Sequence, residues 1–255
     1  MNTQNTRNTG SGLVTRIRHD VKIRDLEVLR VDRLTPHYVR ITFGGDDLAD
    51  FVSLSPDDHV KIFVPLANGE TAMRDYTPRS FDPAKRQLAI DFALHEAGPA
   101  TLWALNARAG DRLKIGGPRG SAVISQTVQR WVLIGDETAL PAIARRIEEA
   151  GPGERITCVV AVAGEAEVQN FDTQADLDVH WVFRPESAAA LPAALLAKVK
   201  SLEVEAETFV WIAGEANVAK AVRAHFLDQV RHPISWMKAA GYWVAGQADT
   251  HMSLD

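Results

Sequence analysis

Trp131-Val132-Leu133-Ile134-Gly135-Asp136-Glu137-Thr138-Ala139-Leu140-Pro141-Ala142-Ile143-Ala144 is the stretch on which the fold turns. An apolar run of strand length ends at Gly135. Leu140, Ile143, Ala144 and Ile147 then recur at helical spacing, with Pro141 in the first turn and Gly151 as a stop. A strand apolar on both faces, followed by an amphipathic helix, is the repeating unit of a parallel sheet covered on both sides. The rhythm continues downstream. It predicts strands over 156–163, 179–183, 209–213 and 234–238, and helices over 190–202 and 215–230, the last with Val218, Val222 and Phe226 on one stripe.

Upstream the period is different. Leu26-Glu27-Val28, Tyr38-Val39-Arg40-Ile41-Thr42-Phe43 and Leu88-Ala89-Ile90-Asp91-Phe92 alternate apolar with polar residues, and Gly44-Gly45, Asn68-Gly69 and Gly116-Gly117-Pro118 punctuate them. This predicts an antiparallel β-barrel with one short helix after Gly98-Pro99, where proline suits the first helical position. The expected organisation is a flexible polar tail over 1–20, a β-barrel over 21–127 and an open parallel α/β sheet over 128–255, with the break near 125–129.

The chain of 255 residues, 46% hydrophobic and 24% charged, fits two ordinary globular domains and excludes a mainly disordered protein. A net charge of -5 argues against a nucleic-acid or membrane-surface partner. No apolar run approaches the ~18 residues of a spanning helix, and the first residues lack an apolar leader core, so a cytoplasmic location is expected. The single cysteine, Cys158, excludes an internal disulfide and a thiolate-held cluster. It sits in a predicted buried strand and reads as an inert core thiol. None of the eight histidines falls in a metal-ligand spacing, so no resident metal is expected.

Two segments carry chemistry. Arg74-Asp75-Tyr76-Thr77-Pro78-Arg79 combines two guanidinium groups, an aromatic plane and a hydroxyl. Arginine can fork onto a pyrophosphate, tyrosine can stack on a flavin ring, and threonine can reach its N5 edge. A charged hairpin would contain the same residues. His95-Glu96-Ala97-Gly98-Pro99-Ala100-Thr101-Leu102-Trp103-Ala104 places small residues at a helix start, where free N–H groups favour phosphate. At the other end of the chain no G-x-G-x-x-G follows a strand, but the Gly135-Asp136-Glu137-Thr138 and Gly214-Glu215-Ala216 turns lie at strand carboxyl ends, where open parallel sheets bind ligands.

In order along residues 35–246, the chain shows Thr35-Pro36-His37-Tyr38-Val39-Arg40-Ile41, Asp58-His59-Val60-Lys61, Arg74-x-Tyr76-Thr77-x-Arg79, Gly98-Pro99-Ala100 with Trp103-Ala104, Gly110-Asp111, Gly117-Pro118-Arg119-Gly120, Gly135 to Pro141, Gly214-Glu215-Ala216 and Gly241-Tyr242-Trp243. The ordered series resembles the siderophore-interacting protein family, a branch of the ferredoxin reductase-like flavoproteins. The resemblance implies an FAD-binding barrel, a C-terminal NAD(P)-binding-like domain, and electron transfer from NAD(P)H or ferredoxin through FAD to a ferric siderophore, releasing Fe(II). It implies that Arg74, Tyr76 and Thr77 hold FAD, with Asp91 and His95 beside it, Gly98, Ala100 and Thr101 at the pyrophosphate, and Thr138, Tyr242 and Trp243 at the cleft. Lys61, Arg119 and Lys238 are the expected acceptor-binding cations. Val244-Ala245 stand where arginine is common in the family, so weak, salt-sensitive engagement of an anionic chelate is expected.

A hydride carries two electrons and Fe(III) takes one, so a flavin intermediary suits the reaction. Hard oxygen donors hold Fe(III) better than Fe(II), so reduction loosens the chelate and the protein need not ligate iron. The alternatives are a general NAD(P)H-dependent flavin reductase with another acceptor and a non-catalytic carrier of flavin or ferric chelate. A monomer is expected. Asp136-Glu137 read as acids complementing a helix dipole, and Arg145-Arg146 as a solvated helix face. The carboxylates of Glu165-Ala166-Glu167 suit a ribose hydroxyl over a 2'-phosphate.

Overall fold

The computed structural model describes residues 12–94, 98–247 and 250–254. Its N-terminal half contains β1 (Val14–Arg18), β2 (Ile23–Thr35), β3 (Tyr38–Gly44), β4 (Val60–Pro65), β5 (Thr71–Tyr76), β6 (Pro78–Asp82), β7 (Gln87–Ala93), helix α1 (Pro99–Asn106), β8 (Arg112–Gly116) and β9 (Gly120–Ile124). Seven of these strands form one antiparallel sheet in the order β5-β4-β8-β2-β3-β7-β6. The period of two turns Leu26, Val28, Ile41, Phe43, Ile62, Ile90 and Phe92 inward, and the sheet curls around them.

The expected barrel is a half-barrel. Its two edges, β5 and β6, are consecutive in sequence, yet only Thr77 lies between them. One residue is too short for a hairpin, so the chain passes from one edge of the sheet to the other without pairing them. The tail expected over 1–20 is also corrected, because β1 pairs antiparallel with β9 from Val14↔Ile124 to Arg18↔Gly120. Gly120 permits this approach, since a Cβ there would lie 2.4 Å from the Ile17 carbonyl oxygen. Residues 1–11 lie outside the described residues.

The C-terminal half contains β10 (Arg130–Asp136), α2 (Leu140–Glu148), β11 (Arg155–Val162), β12 (Asp176–Phe183), α3 (Ala193–Val199), β13 (Thr208–Glu215), α4 (Ala216–Ala224), β14 (Met237–Trp243) and β15 (Met252–Ser253). The sheet order is β12-β11-β10-β13-β14-β15, parallel throughout except for β15. Leu133, Cys158 and Phe209 face one apolar layer, and Val132, Val159 and Val210 face the other. The crossover therefore occurs between β10 and β13, as strand neighbours on either side of β10 run in opposite sequence directions.

Three boundaries differ from the periodicity. The strand expected at 234–238 begins at Met237, because Ile234–Trp236 turns as a 3-10 segment after Pro233 and Ile234 faces solvent. The helix expected over 190–202 is confined to α3, entered through Pro192. The helix at 215–230 is regular through Ala224 and continues as a wider π turn over His225–Val230.

Candidate active site at the domain cleft

Arg74 and Tyr76 lie on edge strand β5, whose register places them opposite Ile62 and Val60 of β4. Directly opposed residues share a face, so both side chains point to the side of the sheet that carries the core. The Tyr76 ring meets Phe92 at 4.5 Å, and burial pushes its phenol upward from the ordinary range. Phe92 also touches Trp103 of α1, with centroids 6.0 Å apart. This aromatic run fixes the start of α1 relative to the Arg74 strand. Gly98 caps α1 in extended conformation without any side-chain cap bond, and Ala100 and Thr101 are buried against the sheet. The first turn of a helix carries N–H groups without intrahelical acceptors. Thr77 is buried at the seam between β5 and β6.

Asp91 is a correction. Its carboxylate is buried and accepts the fork of Arg40 at 2.6 and 2.8 Å, with Arg79 Nε at 3.6 Å. Its carboxylate is engaged by two arginines. Arg79, the second guanidinium of the motif, is likewise buried and donates to Glu148 of α2 at 2.5 Å. It joins the two domains. His95 lies outside the described residues.

A second group of the expected residues lies at the carboxyl edge of the parallel sheet. Asp136 ends β10, buried, and accepts from Thr138 N at 2.9 Å, Thr138 Oγ1 at 2.6 Å, Glu215 N at 2.8 Å and Trp243 Nε1 at 2.9 Å. Thr138 and Trp243, expected at the cleft, are thus brought together by one carboxylate. Gly214 has φ of 147°, and a Cβ there would lie 2.7 Å from Asp136 Oδ2, so glycine is needed beside this hub. The reading of Asp136-Glu137 as helix-dipole acids is corrected: α2 starts only at Leu140. Glu137 takes both terminal nitrogens of buried Arg184, and its carboxyl is raised by burial and by Asp136, with Arg184 opposing. Tyr242 stands beside Trp211, its phenol raised by burial and by Asp57, Asp58 and Asp136.

Polar clamps hold the two domains together. The Tyr38 hydroxyl donates to the Glu137 carbonyl, and buried Glu167 accepts from the Thr35 hydroxyl at 2.5 Å and pairs with His37 Nδ1 at 2.8 Å. Arg145 is buried, not solvated: it donates to Ser53 Oγ, the Ser53 and Pro78 carbonyls, and Glu149. Arg146 lies over the Trp131 ring at 4.1 Å and pairs with Glu154. No periodicity announces these contacts, since a polar residue facing another domain looks like one facing water.

With this geometry in place, residues 27–73 and 67–122 match the siderophore-interacting FAD-binding domain, and residues 128–246 match the siderophore-interacting protein model. The NADPH-dependent ferric-chelate reductase of Escherichia coli (strain K12) is 32% identical over 253 residues, covering 90% of this chain and 96% of that protein. The chain belongs to the siderophore-interacting protein family. A siderophore utilization protein from T. fusca superposes with a TM-score of 0.88 at 35% identity, covering 93% of this chain and 98% of that one. The flavohem-like FAD/NAD-binding domain of the Vibrio cholerae nitric oxide dioxygenase superposes with a TM-score of 0.67 at 16% identity, covering 88% of this chain and 99% of that one. At that distance it shows the fold, which is ferredoxin reductase-like.

For a siderophore-interacting protein, the three expected acceptor cations are unequally placed. Lys61 of β4 is opposite Gly116 and pairs with Asp75 at 3.1 Å. Arg119 follows the Gly117-Pro118 turn and is exposed. Lys238 is corrected: it is largely buried and donates to Asp57 at 2.5 Å, where Trp211 Nε1 also donates at 3.1 Å. Burial works to raise the Asp57 carboxyl, but Lys238 and the donors Trp211 and Ser55 outweigh it and hold it below the usual carboxylate range. Lys238 therefore braces the domain interface. A cavity of about 390 Å³ near Asp57, lined by Leu54, Asp57, Trp131, Ile143, Arg146 and Trp211, mixes apolar and polar side chains.

Proposed function

We propose that the chain is an FAD-dependent ferric-siderophore reductase that draws electrons from NAD(P)H or ferredoxin and releases Fe(II). The observation that carries this reading is the aromatic run Tyr76–Phe92–Trp103, which couples strand β5, the bearer of Arg74, to helix α1.

The residues present fit FAD. Arg74 offers a guanidinium fork and the start of α1 offers backbone N–H groups, two sites suited to a diphosphate. Tyr76 supplies a ring plane whose rotation is restricted by Phe92. Thr77 sits one residue on, at the seam. The chemistry FAD supplies when bound is conversion of a two-electron hydride into single electrons, so one hydride serves two Fe(III) ions. Thr138, ordered on Asp136, and Trp243, tied to the same carboxylate, stand together at the carboxyl edge of the second sheet. The iron enters and leaves as substrate, its release driven by the weaker hold of hard oxygen donors on Fe(II). The NADPH-dependent relative supports a nicotinamide donor. Action as a monomer in the cytoplasm belongs to the same proposal.

The test is anaerobic. FAD-loaded protein is mixed separately with NADPH, NADH and reduced ferredoxin while flavin absorbance is followed, then a ferric siderophore is added with a ferrous trap. Bleaching by one donor, followed by reoxidation matched to trapped Fe(II), is the expected result. Failure to load FAD, or reduced flavin that no ferric chelate reoxidises, overturns the reading.

A further inference from the structure

Thr77 alone links β5 to β6, and the two residues that follow it are fixed from the other domain. Pro78 holds its own φ at about -65° and pushes Thr77 toward extended backbone. What the local chain leaves open is the orientation of the peptide plane after Pro78 and the direction of the Arg79 side chain. Both are set by α2. The Pro78 carbonyl accepts Arg145 Nη1 at 3.1 Å, and Arg79 Nη2 donates to Glu148 at 2.5 Å. Arg145 and Glu148 stand three residues apart and so share one face of the helix.

The register of β6 prepares these contacts. Pro78 opposes Ile90 and Ser80 opposes Ala89, the next residue of β7, so Arg79 is an extra residue in the ladder. Such a bulge re-aims a side chain. Here it serves a guanidinium that reaches α2. Arg79 Nε is buried 3.6 Å from Asp91 and has no hydrogen-bond acceptor among the described residues, so Glu148 is the partner that fixes its end. Arg145 has as little slack. Its Nε donates to Glu149 at 2.6 Å, Nη1 also donates to Ser53 Oγ at 2.7 Å, and Nη2 donates to the Ser53 carbonyl at 3.1 Å. The Ser53 hydroxyl donates in turn to buried Asp58 at 3.0 Å. The same helix begins at Leu140, two residues beyond Thr138, which Asp136 holds. One short rod therefore runs from Thr138 to the residues that follow Thr77.

We propose that Arg145 and Glu148 are positioning residues for the flavin: by holding Pro78 and Arg79 they fix Thr77 at the N5 edge, so that the docked second domain sets a hydrogen bond in the cofactor site of the first. The inference rests on the reading of Thr77 as an FAD contact. It gives the second arginine of the Arg74-to-Arg79 motif a part in the site without any contact to the cofactor.

The experiment titrates apo-protein with FAD and with 5-deaza-FAD, which carries C–H in place of N5 and cannot accept a hydrogen bond there. Binding is followed by quenching of tryptophan fluorescence. Wild type is expected to prefer FAD by roughly fivefold, the scale of one net hydrogen bond. Arg145→Met should erase most of that preference, weakening FAD while 5-deaza-FAD changes little. Arg145→Lys, still able to donate to the Pro78 carbonyl, should recover part of it. Glu148→Gln changes a partly exposed carboxylate, should erase part of the preference, and decides the matter if Arg145→Met does not fold. Glu167→Gln loosens the other seam, at Thr35 and His37, and should keep the wild-type preference. A preference that survives both Arg145→Met and Glu148→Gln overturns the positioning role. So does equal weakening of both flavins, or a wild type that does not distinguish them. Failure of wild type to bind either flavin overturns the FAD reading and the positioning with it. A protein that binds flavin with the expected pattern but reduces no ferric chelate would overturn the reductase reading alone.

Discussion

Trp243 donates its indole N–H to Asp136 across 2.9 Å, and the same carboxylate orders Thr138 and receives the Glu215 amide. One buried acid therefore ties the ends of three parallel strands. Asp136→Ala would leave several buried donors without an acceptor, at about 1–3 kcal/mol each. We expect a loss of at least about 3 kcal/mol in urea unfolding, against about 1 kcal/mol for Trp243→Phe, which removes one donor and keeps the ring. Equal losses from the two would contradict the hub.

Arg74→Ala should weaken FAD by roughly ten- to a hundredfold, since a charged hydrogen bond to phosphate contributes about 1.5–3 kcal/mol. Tyr76→Phe keeps the stacking plane and the Phe92 contact and should change affinity by less than about threefold. Apo-protein titrated with FAD and followed by flavin fluorescence separates the two.

Asp91→Ala should behave as a stability variant, because it strands Arg40 and Arg79 in a buried site. Removing one partner of such a pair costs about 3–5 kcal/mol. Denaturant melts of apo-protein are the measurement. A selective loss of FAD at full stability would return Asp91 to the cofactor site.

Asp57 titrates below the usual carboxylate range in the folded protein, so its contribution to stability is present above the unfolded value near ~3.9 and fades as pH falls through the folded one. Lys238→Met removes the cation that holds it down. Melts between pH 3 and 7 should show the variant less stable at neutral pH by about 3–5 kcal/mol and with a shallower decline below about pH 4. Parallel curves would place Lys238 outside the interface.

The two-domain architecture was legible because it is written in periods. Alternation around Val28 and Ile41 and the apolar run Trp131 to Ile134 report burial directly. The boundaries that slipped lack that signal: Ile234 is apolar and exposed, and the residues of β1 pair with β9 at a separation no local pattern records. At the site, Arg74, Tyr76, Gly98 and Thr138 were visible as a motif. Asp91, Arg79 and Lys238 were misread because a charged residue has the same letter whether it meets a ligand or a buried partner. Asp57 and Arg184 went unnoticed for the same reason, since their partners lie far away in sequence, and Glu167, expected to suit a ribose hydroxyl, is buried against Thr35 and His37 instead.

The Arg145 clamp has a meaning for inheritance. Its guanidinium, rooted in one domain, is satisfied by the Ser53 hydroxyl and the Ser53 and Pro78 carbonyls of the other, while Glu167 answers Thr35 and His37 in the reverse direction. A chimaera crossed over between Ile124 and Arg130 would keep these rivets only where the incoming half supplies matching partners for Arg145 and Glu167. Recombination within such a family can exchange whole chains freely, but halves only when both sides of each rivet travel together.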